Sequence, residues 1–269
     1  MRVRSLIRKA SRQDGLRIAA RAGYLISGIL HLLIAYIIVR IAAGGKGNAD
    51  PSGAVATVAT SHGGVAALWV IAIALVPLAL WRLAETLVGL HPAEGSRSRE
   101  NDESKASRLK AFGLLLVYCG VAYTAVRFAL GSHQSSGQQN AGLSARLMQR
   151  PWGRTILIAA GAIIVIIGAY YAYKGLSRRF HADLNGPPGH LVTALGVSGY
   201  LAEGLTLALA GILFIVASID SEPTKAAGLD AAVKTLGATQ WGRVLLIFAA
   251  AGFAAYGAYS FALVRRSRM

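Results

Sequence analysis

The chain has little charge and almost no cysteine. Of its 269 residues, 15% are charged and 54% are hydrophobic, whereas soluble globular domains carry about 25% charged residues. A chain with so little charge lacks the polar surface that a soluble globular protein needs. Its one cysteine, Cys119, excludes an intramolecular disulfide and a cysteine-based metal site.

Long apolar segments make up most of the chain instead. Six of them cover residues 22–43, 65–90, 111–131, 155–173, 197–218 and 244–264. A helix of about 20 apolar residues crosses the hydrocarbon core of a bilayer, and the segments lack the alternating pattern typical of a membrane barrel. The sequence therefore predicts an all-α integral membrane protein with six transmembrane helices. The first segment is longer than the apolar region of a cleaved signal peptide, so we expect it to be one of the six.

The distribution of basic residues predicts the orientation of these helices. The net charge is +16. Lys and Arg are about twice as frequent in both terminal segments and after the second and fourth helices as they are on the other side. Because Lys and Arg mark the cytoplasmic face, we expect a multi-pass protein of the inner or plasma membrane with both termini in the cytoplasm. The basic face is expected to bind anionic lipid head groups rather than nucleic acid.

The chain contains three copies of one two-helix unit. The stretch "AYIIVR" at 35–40 returns as "AYTAVR" at 122–127, and "WGRTILIAAG" at 152–161 returns as "WGRVLLIFAA" at 241–250. Each unit crosses the membrane twice, so all three start on the same side, as parallel repeats do. We expect a pseudo-threefold bundle of three parallel helical hairpins. The predicted segments are a basic cytoplasmic N-terminal segment (1–19), repeat 1 (20–91), a cytoplasmic linker (92–106), repeat 2 (107–177), a second cytoplasmic linker (178–195) and repeat 3 (196–265).

Short motifs in these repeats resemble a known family. They are Arg21-Ala22-Gly23-Tyr24, "AYTAVR" at 122–127, and the motif Trp152-Gly153-Arg154 with its second copy Trp241-Gly242-Arg243. In their threefold arrangement they resemble the bacterial membrane proteins grouped as domain of unknown function 1206, which are built from three tandem two-helix repeats. The second repeat departs from the pattern, since Lys110-Ala111 stands where Gly23-Tyr24 and Gly199-Tyr200 stand in the first and third repeats. The resemblance implies a membrane location and supplies no activity, ligand or catalytic residue.

Ionisable residues inside predicted transmembrane helices are candidate functional sites, because charge is costly there; His31 and Glu203 are considered first. His31 is interpreted as a polar helix contact, with a proton relay or a haem ligand as the alternatives. Glu203 is predicted close to the start of the fifth helix, where the helix dipole stabilises a carboxylate by about 0.3–1 kcal/mol. The alternative for Glu203 is a proton or cation site that faces the bundle axis.

Basic residues form two further candidate groups. Arginines at predicted outer helix ends either snorkel to the interface or form an outer basic rim for an anionic ligand or lipid head group; they are Arg40, Arg127, Arg154 and Arg243. Arg82 and Glu85 are three residues apart near the cytoplasmic end of the second helix, a spacing that favours a salt bridge over a catalytic pair. No motif predicts a catalytic residue, a metal site or a cofactor. The sequence has no His/Glu zinc motif and no serine nucleophile elbow, and the Gly-rich stretch at 44–53 lacks the order of a phosphate-binding loop.

Three classes of function remain open at this point. A membrane scaffold or accessory protein, which binds lipid, partner helices or a second copy of itself, is favoured, because small residues such as those of the stripe Ala250, Ala254, Ala258 and Ala262 let helices pack closely. The alternative is a small-molecule or ion permease with an axial site near Glu203 and His31. No convergent set of residues supports an enzyme. The outer loops predict short interfacial helices at Leu143–Gln149 and Leu229–Leu236.

Overall fold

The computed structural model of the chain describes residues 14–88, 102–132 and 134–266. Within these ranges the chain is helical and has no β-strand. Its α-helices, in chain order, are α1 (Asp14–Ala42), α2 (Pro51–Ala59), α3 (Gly64–Val88), α4 (Asp102–Ala129), α5 (Ser136–Met148), α6 (Gly153–Leu176), α7 (His190–Asp220), α8 (Leu229–Gly237) and α9 (Gly242–Arg266). Short 3-10 helices, Arg179–Asp183 and Pro223–Ala226, lie on either side of α7.

In the part of the chain that the structure describes, five of the long helices are long and apolar enough to cross a membrane. The candidate spans are Gly23–Ala42 in α1, Ala111–Ala129 in α4, Gly153–Leu176 (α6), His190–Asp220 (α7) and Gly242–Arg266 (α9). In α3 the apolar part is the shorter stretch Gly64–Leu80, because Arg82 and Glu85 follow in the same helix. Five of the six predicted spans are therefore found, and the protein is an all-α, multi-pass membrane protein.

A short helix separates the two long helices of every repeat. α2, α5 and α8 follow α1, α4 and α7 and are joined by hydrogen bonds at one end of the bundle, which we call the cap end. The predicted helix Leu229–Leu236 is confirmed as α8. α5 begins at Ser136 rather than at Leu143, because Ser135 and Gln138 form a capping box that starts the helix earlier.

Helix α2 was not predicted from the sequence. The Asp50 side chain precedes it and accepts a hydrogen bond from the backbone N–H of Gly53, at 2.8 Å. Pro51 occupies the first turn, where its missing N–H has no cost. These are ordinary helix-start signals, but the surrounding glycines at 44–53 made the stretch resemble a loop.

The most extensive helix packing joins successive repeats rather than the two helices of one repeat. α3 packs along α4, α6 along α7, and α9 along α1, while α7 and α9 of the third repeat also pack together. α6, α7, α9 and α1 thus form one continuous body. α3 touches α1 only sparsely, and α2 provides further contacts to both α1 and α4.

Glycines allow a close approach between α6 and α7. A Cβ atom added at Gly204 would lie 2.5 Å from the backbone N of Ala172 and 2.6 Å from the carbonyl O of Gly168. A Cβ at Gly168 would meet Gly204 and Ala208 at similar distances. Because backbone atoms cannot rotate away, only glycine fits here, and the two helices meet backbone to backbone.

The end opposite the cap is closed by aromatic residues and by the first 3-10 helix. Phe180 of that helix is fully buried and packs with Tyr200 of α7 and Tyr259 of α9. Lys174 Nζ, in the last turn of α6, contacts Asp183 Oδ2 at 2.6 Å. The backbone N–H of Asn185 donates to a carbonyl at the end of α9, that of Arg266, at 2.7 Å. These contacts hold the connection between α6 and α7 against the bundle.

Candidate intramembrane site

The two ionisable residues noted inside predicted transmembrane helices lie side by side. His31 Nε2 of α1 is 3.6 Å from Glu203 Oε1 of α7, and the two side chains are 16% and 19% exposed. Along the helix axis His31 is roughly 12 Å from Gly23 and roughly 17 Å from Ala42, the ends of the candidate span of α1. The pair therefore lies near the middle of that span.

The prediction that Glu203 lies near the start of its helix is wrong. α7 begins at His190, so Glu203 is roughly three and a half turns inside the helix. The effect of the helix dipole falls off within the first turn and does not stabilise this carboxylate. The stretch from His190 to Leu195, predicted as part of a linker, continues as helix immediately after the break made by Pro187 and Pro188.

A backbone contact determines which nitrogen of His31 faces Glu203. Nδ1 is 2.7 Å from the carbonyl oxygen of Ser27, one turn earlier in α1, and 3.4 Å from its hydroxyl. A carbonyl only accepts, so Nδ1 carries the hydrogen and donates it. In neutral histidine Nε2 would then be an acceptor facing an acceptor oxygen of Glu203. The close approach is favourable when the pair holds one further proton, on either Nε2 or the carboxyl group.

Aromatic side chains surround the pair on the side of α9. The ring of Tyr256 is 4.6 Å from the His31 ring between centroids, and the ring of Phe253 is 5.9 Å away and nearly parallel. Tyr256 also packs edge-on against Tyr200, at 5.2 Å, and so connects the pair to the aromatic cluster at the opposite end. Among the described residues, Glu203 Oε2 is buried without a hydrogen-bond partner. The site therefore combines an acid, a base and one unfilled acceptor position.

The four arginines of the predicted outer rim lie near the cap end but make different contacts. Arg40 lies over the ring of Tyr36 at 6.0 Å, and Arg127 lies over that of Tyr123 at 5.8 Å. Arg127 also donates to the Ser132 hydroxyl at 2.8 Å. The other two are exposed, as Arg40 is: Arg243 donates to the carbonyl of Ala42 at 3.1 Å, and Arg154 follows the exposed Trp152. Whether the four act together as a rim stays a prediction.

The other sequence-based predictions concern a salt bridge and metals. The side chain of Arg82 is half-buried, but that of Glu85 lies outside the described residues, so their pairing stays a prediction. Within the described ranges, no group of three or more His, Cys, Asp or Glu residues could hold a metal ion.

Two polar clusters were not predicted from the sequence. One is the Lys174–Asp183 pair, with the ammonium group also 5.0 Å from the Tyr200 ring. The other lies at the cap end, where Asp230 accepts from the backbone N–H of Ala49 and the neighbouring Asp50 accepts from that of Gly53. Asp50 could have been found from the Asp-Pro-Ser-Gly helix-start signal. No local pattern relates it to Asp230, because their proximity depends on how the repeats assemble.

Comparisons with known proteins agree with the repeats seen in the structure. A family described as Domain of Unknown Function (DUF1206) matches at residues 22–89, 111–178 and 198–267. The chain is 24% identical over 245 residues to the uncharacterized protein YxxB of Bacillus subtilis (strain 168), a match that covers 89% of this chain and 87% of that protein. No solved structure matches the chain. The resemblance noted in the sequence motifs is confirmed: the chain belongs to the DUF1206 family, with three tandem copies of its domain.

Proposed function

We propose that the protein is a membrane permease for an ion or a small molecule, and that the His31–Glu203 pair is its proton-binding site. The observation that carries the proposal is the 3.6 Å approach of the two side chains near the middle of the α1 span. Ionisable residues at such depth are rare, and where they occur they mark ion pathways and proton relays. Structural stabilisation alone would not require a carboxylate with one unfilled oxygen.

The pair can change its charge by one unit without changing its position. With one extra proton it is neutral overall, as an imidazolium beside a carboxylate or as neutral histidine beside a carboxylic acid. Without that proton it carries one negative charge. A site of this kind can exchange a proton for a cationic cargo, because either one neutralises the Glu203 carboxylate in a medium where an unpaired charge is expensive.

The helix arrangement supports a bundle of three hairpins around this site. We propose that α3 is the sixth membrane-spanning helix, since its 25 residues extend roughly 37 Å. The three extensive contacts, α3 with α4, α6 with α7, and α9 with α1, each join the second long helix of one repeat to the first of the next. Three equivalent contacts that close a ring support the pseudo-threefold arrangement. The distribution of Lys and Arg supports cytoplasmic termini in the cell membrane.

Flux measurements in vesicles test the permease. Purified protein is reconstituted with a pH-sensitive dye inside the vesicles, and a panel of ions and small metabolites is applied under an imposed pH gradient. We expect a flux that depends on the protein and is lost in Glu203→Gln. Glu222→Gln is the matched control, because Glu222 is exposed in the connection after α7 and pairs with Lys225 at 3.1 Å. That variant should retain the flux.

Two results would contradict the proposal. One is a flux in Glu203→Gln equal to that of the unchanged protein. The other is the absence of flux across the whole panel from protein whose helicity and elution in detergent are normal. Comparing both variants by the same two folding criteria separates loss of transport from loss of structure.

A membrane scaffold is the second candidate, and the backbone contact between α6 and α7 favours it. Helices that meet at Gly168 and Gly204 form a closely packed body suited to holding partner helices or lipid. In that case His31 and Glu203 join α1 to α7, Glu203→Gln lowers the stability of the bundle, and no flux is found. The flux experiment therefore distinguishes the two candidates.

A further inference from the structure

A second buried acidic group lies at the cap end, away from the intramembrane pair. Asp50, just before α2, is 4% exposed, and Asp230 of α8 is 6% exposed. Hydrogen bonds around them connect all three repeats. The backbone N–H of Ala49 donates to Asp230 Oδ1 at 2.9 Å, and that of Ser136 in α5 donates to the hydroxyl of Ser52 at 2.9 Å. Asp50 is thus at the junction where the three short helices meet.

The two oxygens of Asp50 have different surroundings. Oδ1 accepts from the Ser52 hydroxyl and from the backbone N–H of Gly53. Oδ2 is buried, and none of the described residues forms a hydrogen bond with it. A buried carboxylate oxygen without water or a donor is costly when the group is ionised. The geometry leaves this oxygen free to bind a proton.

The nearby basic groups are engaged elsewhere or point to solvent. On α8, Lys234 Nζ contacts Asp230 Oδ2 at 2.6 Å. After α7, Lys225 pairs with Asp220 and Glu222. The adjoining elements carry further basic groups at this end. Lys46 before α2, His62 after α2 and Arg146 on α5 are exposed. Arg40 on α1 lies over Tyr36, Arg127 on α4 donates to Ser132, and Arg243 on α9 donates to Ala42.

We propose that Asp50 is a proton-binding site that tightens the contact between the three repeats when the solution at the cap end is acidified. Proton uptake on Oδ2 removes a buried negative charge that faces Asp230 and leaves Oδ1 able to accept from Ser52 and Gly53. The site is separate from the His31–Glu203 pair and does not depend on the proposed permease.

The direction of the pH effect follows from burial. Burial, followed by the negative charge of Asp230, raises the pKa of the Asp50 carboxyl group, against the opposing effect of its hydrogen bonds. A carboxyl group whose pKa is higher in the folded state binds its proton more tightly there. Its contribution to stability is therefore greatest below its unfolded pKa and is lost as the pH rises through the folded value.

Amide hydrogen exchange of the full-length protein in lipid nanodiscs tests this site. Exchange in α2 and α8 is measured at pH 7.5 and pH 5.5 and corrected for the intrinsic effect of pH. We expect protection of both helices to rise several-fold on acidification. In Asp50→Asn, which keeps an acceptor at the Oδ1 position, protection should be high at both pH values. Asp220→Asn is the matched control, because Asp220 is 42% exposed, and it should respond to pH like the unchanged protein.

Each other outcome would overturn the proposal. Protection that is constant or falls on acidification contradicts it, and so does a pH response that persists in Asp50→Asn. If Na⁺ or Ca²⁺ raised protection at pH 7.5 in the unchanged protein but not in Asp50→Asn, the ligand would be a metal ion instead of a proton. Should Asp50→Asn fail to fold, Asp230→Asn removes the opposing charge and should move the response to lower pH. An unmoved response would contradict the mechanism.

Discussion

Replacing Gly204 by alanine should destabilise the bundle, because the contact between α6 and α7 has no room for a methyl group. The added Cβ would lie 2.6 Å from the carbonyl O of Gly168, so the helices must separate by roughly 1 Å to restore an ordinary carbon–oxygen contact. Overpacking of this kind costs about 1–3 kcal/mol, and contact with backbone atoms favours the upper part of that range. Alanine recovers about 1 kcal/mol through its higher helix propensity. The expected net loss is about 2 kcal/mol.

Gly120→Ala is the matched control for this substitution. Gly120 lies in the candidate span of α4, and a Cβ atom there would meet nothing within 4 Å. Only the gain in helix propensity remains, so this variant should be unchanged or more stable by up to about 1 kcal/mol. The free energies of unfolding are compared by titrating detergent-solubilised protein with dodecyl sulfate and following helicity. If Gly204→Ala were as stable as Gly120→Ala, α6 and α7 would not meet at these glycines.

Three further measurements test the pair, the orientation and the lipid contacts. In a double-mutant cycle on unfolding, His31→Gln and Glu203→Gln should be coupled by about 0.5–2 kcal/mol, whereas additive effects would show that the side chains do not interact. A reporter that works only in the cytoplasm should be active when fused after Met269. If a reporter that works only outside the cytoplasm were active there instead, the proposed orientation would be reversed. Lipid retained after purification should favour phosphatidylglycerol over phosphatidylcholine by about 1 kcal/mol per basic residue. Replacing the exposed pair Arg178 and Arg179 by glutamine should reduce that preference, and an unchanged preference would exclude this face as the lipid site.

The helices themselves could be predicted because hydropathy depends on local composition. Apolar runs of about 20 residues identified the spans, and repeated motifs identified the three units. The helix boundaries were harder to predict. α7 begins at His190 because a helix can resume directly after the break made by Pro187 and Pro188, and α2 was hidden among glycines. Both errors arose where Gly and Pro indicate an interruption without indicating its length.

The candidate site could be predicted only in part, for a different physical reason. His31 and Glu203 attract attention in the sequence because ionisable residues are costly in a membrane. Their contact depends on α1, α7 and α9 packing together, which involves helices at opposite ends of the chain. The orientation of the imidazole depends on a further detail, the 2.7 Å contact with the Ser27 carbonyl. Asp50 and Asp230 were missed because they meet only after the repeats assemble.

The divergence of the repeats bears on how such a site arises. When the second and third repeats are aligned with the first by shifts of 87 and 176 residues, the positions equivalent to Glu203 hold Ser27 and Leu114, and those equivalent to His31 hold Tyr118 and Leu207. Among the described residues, this acid and base lie where α1 of the first repeat meets the third, and the equivalent positions of the other repeats hold neither. Ser27 takes part there through its backbone carbonyl, which any residue could supply. The repeats provide a common helical frame, and the chemistry comes from the few positions at which they differ.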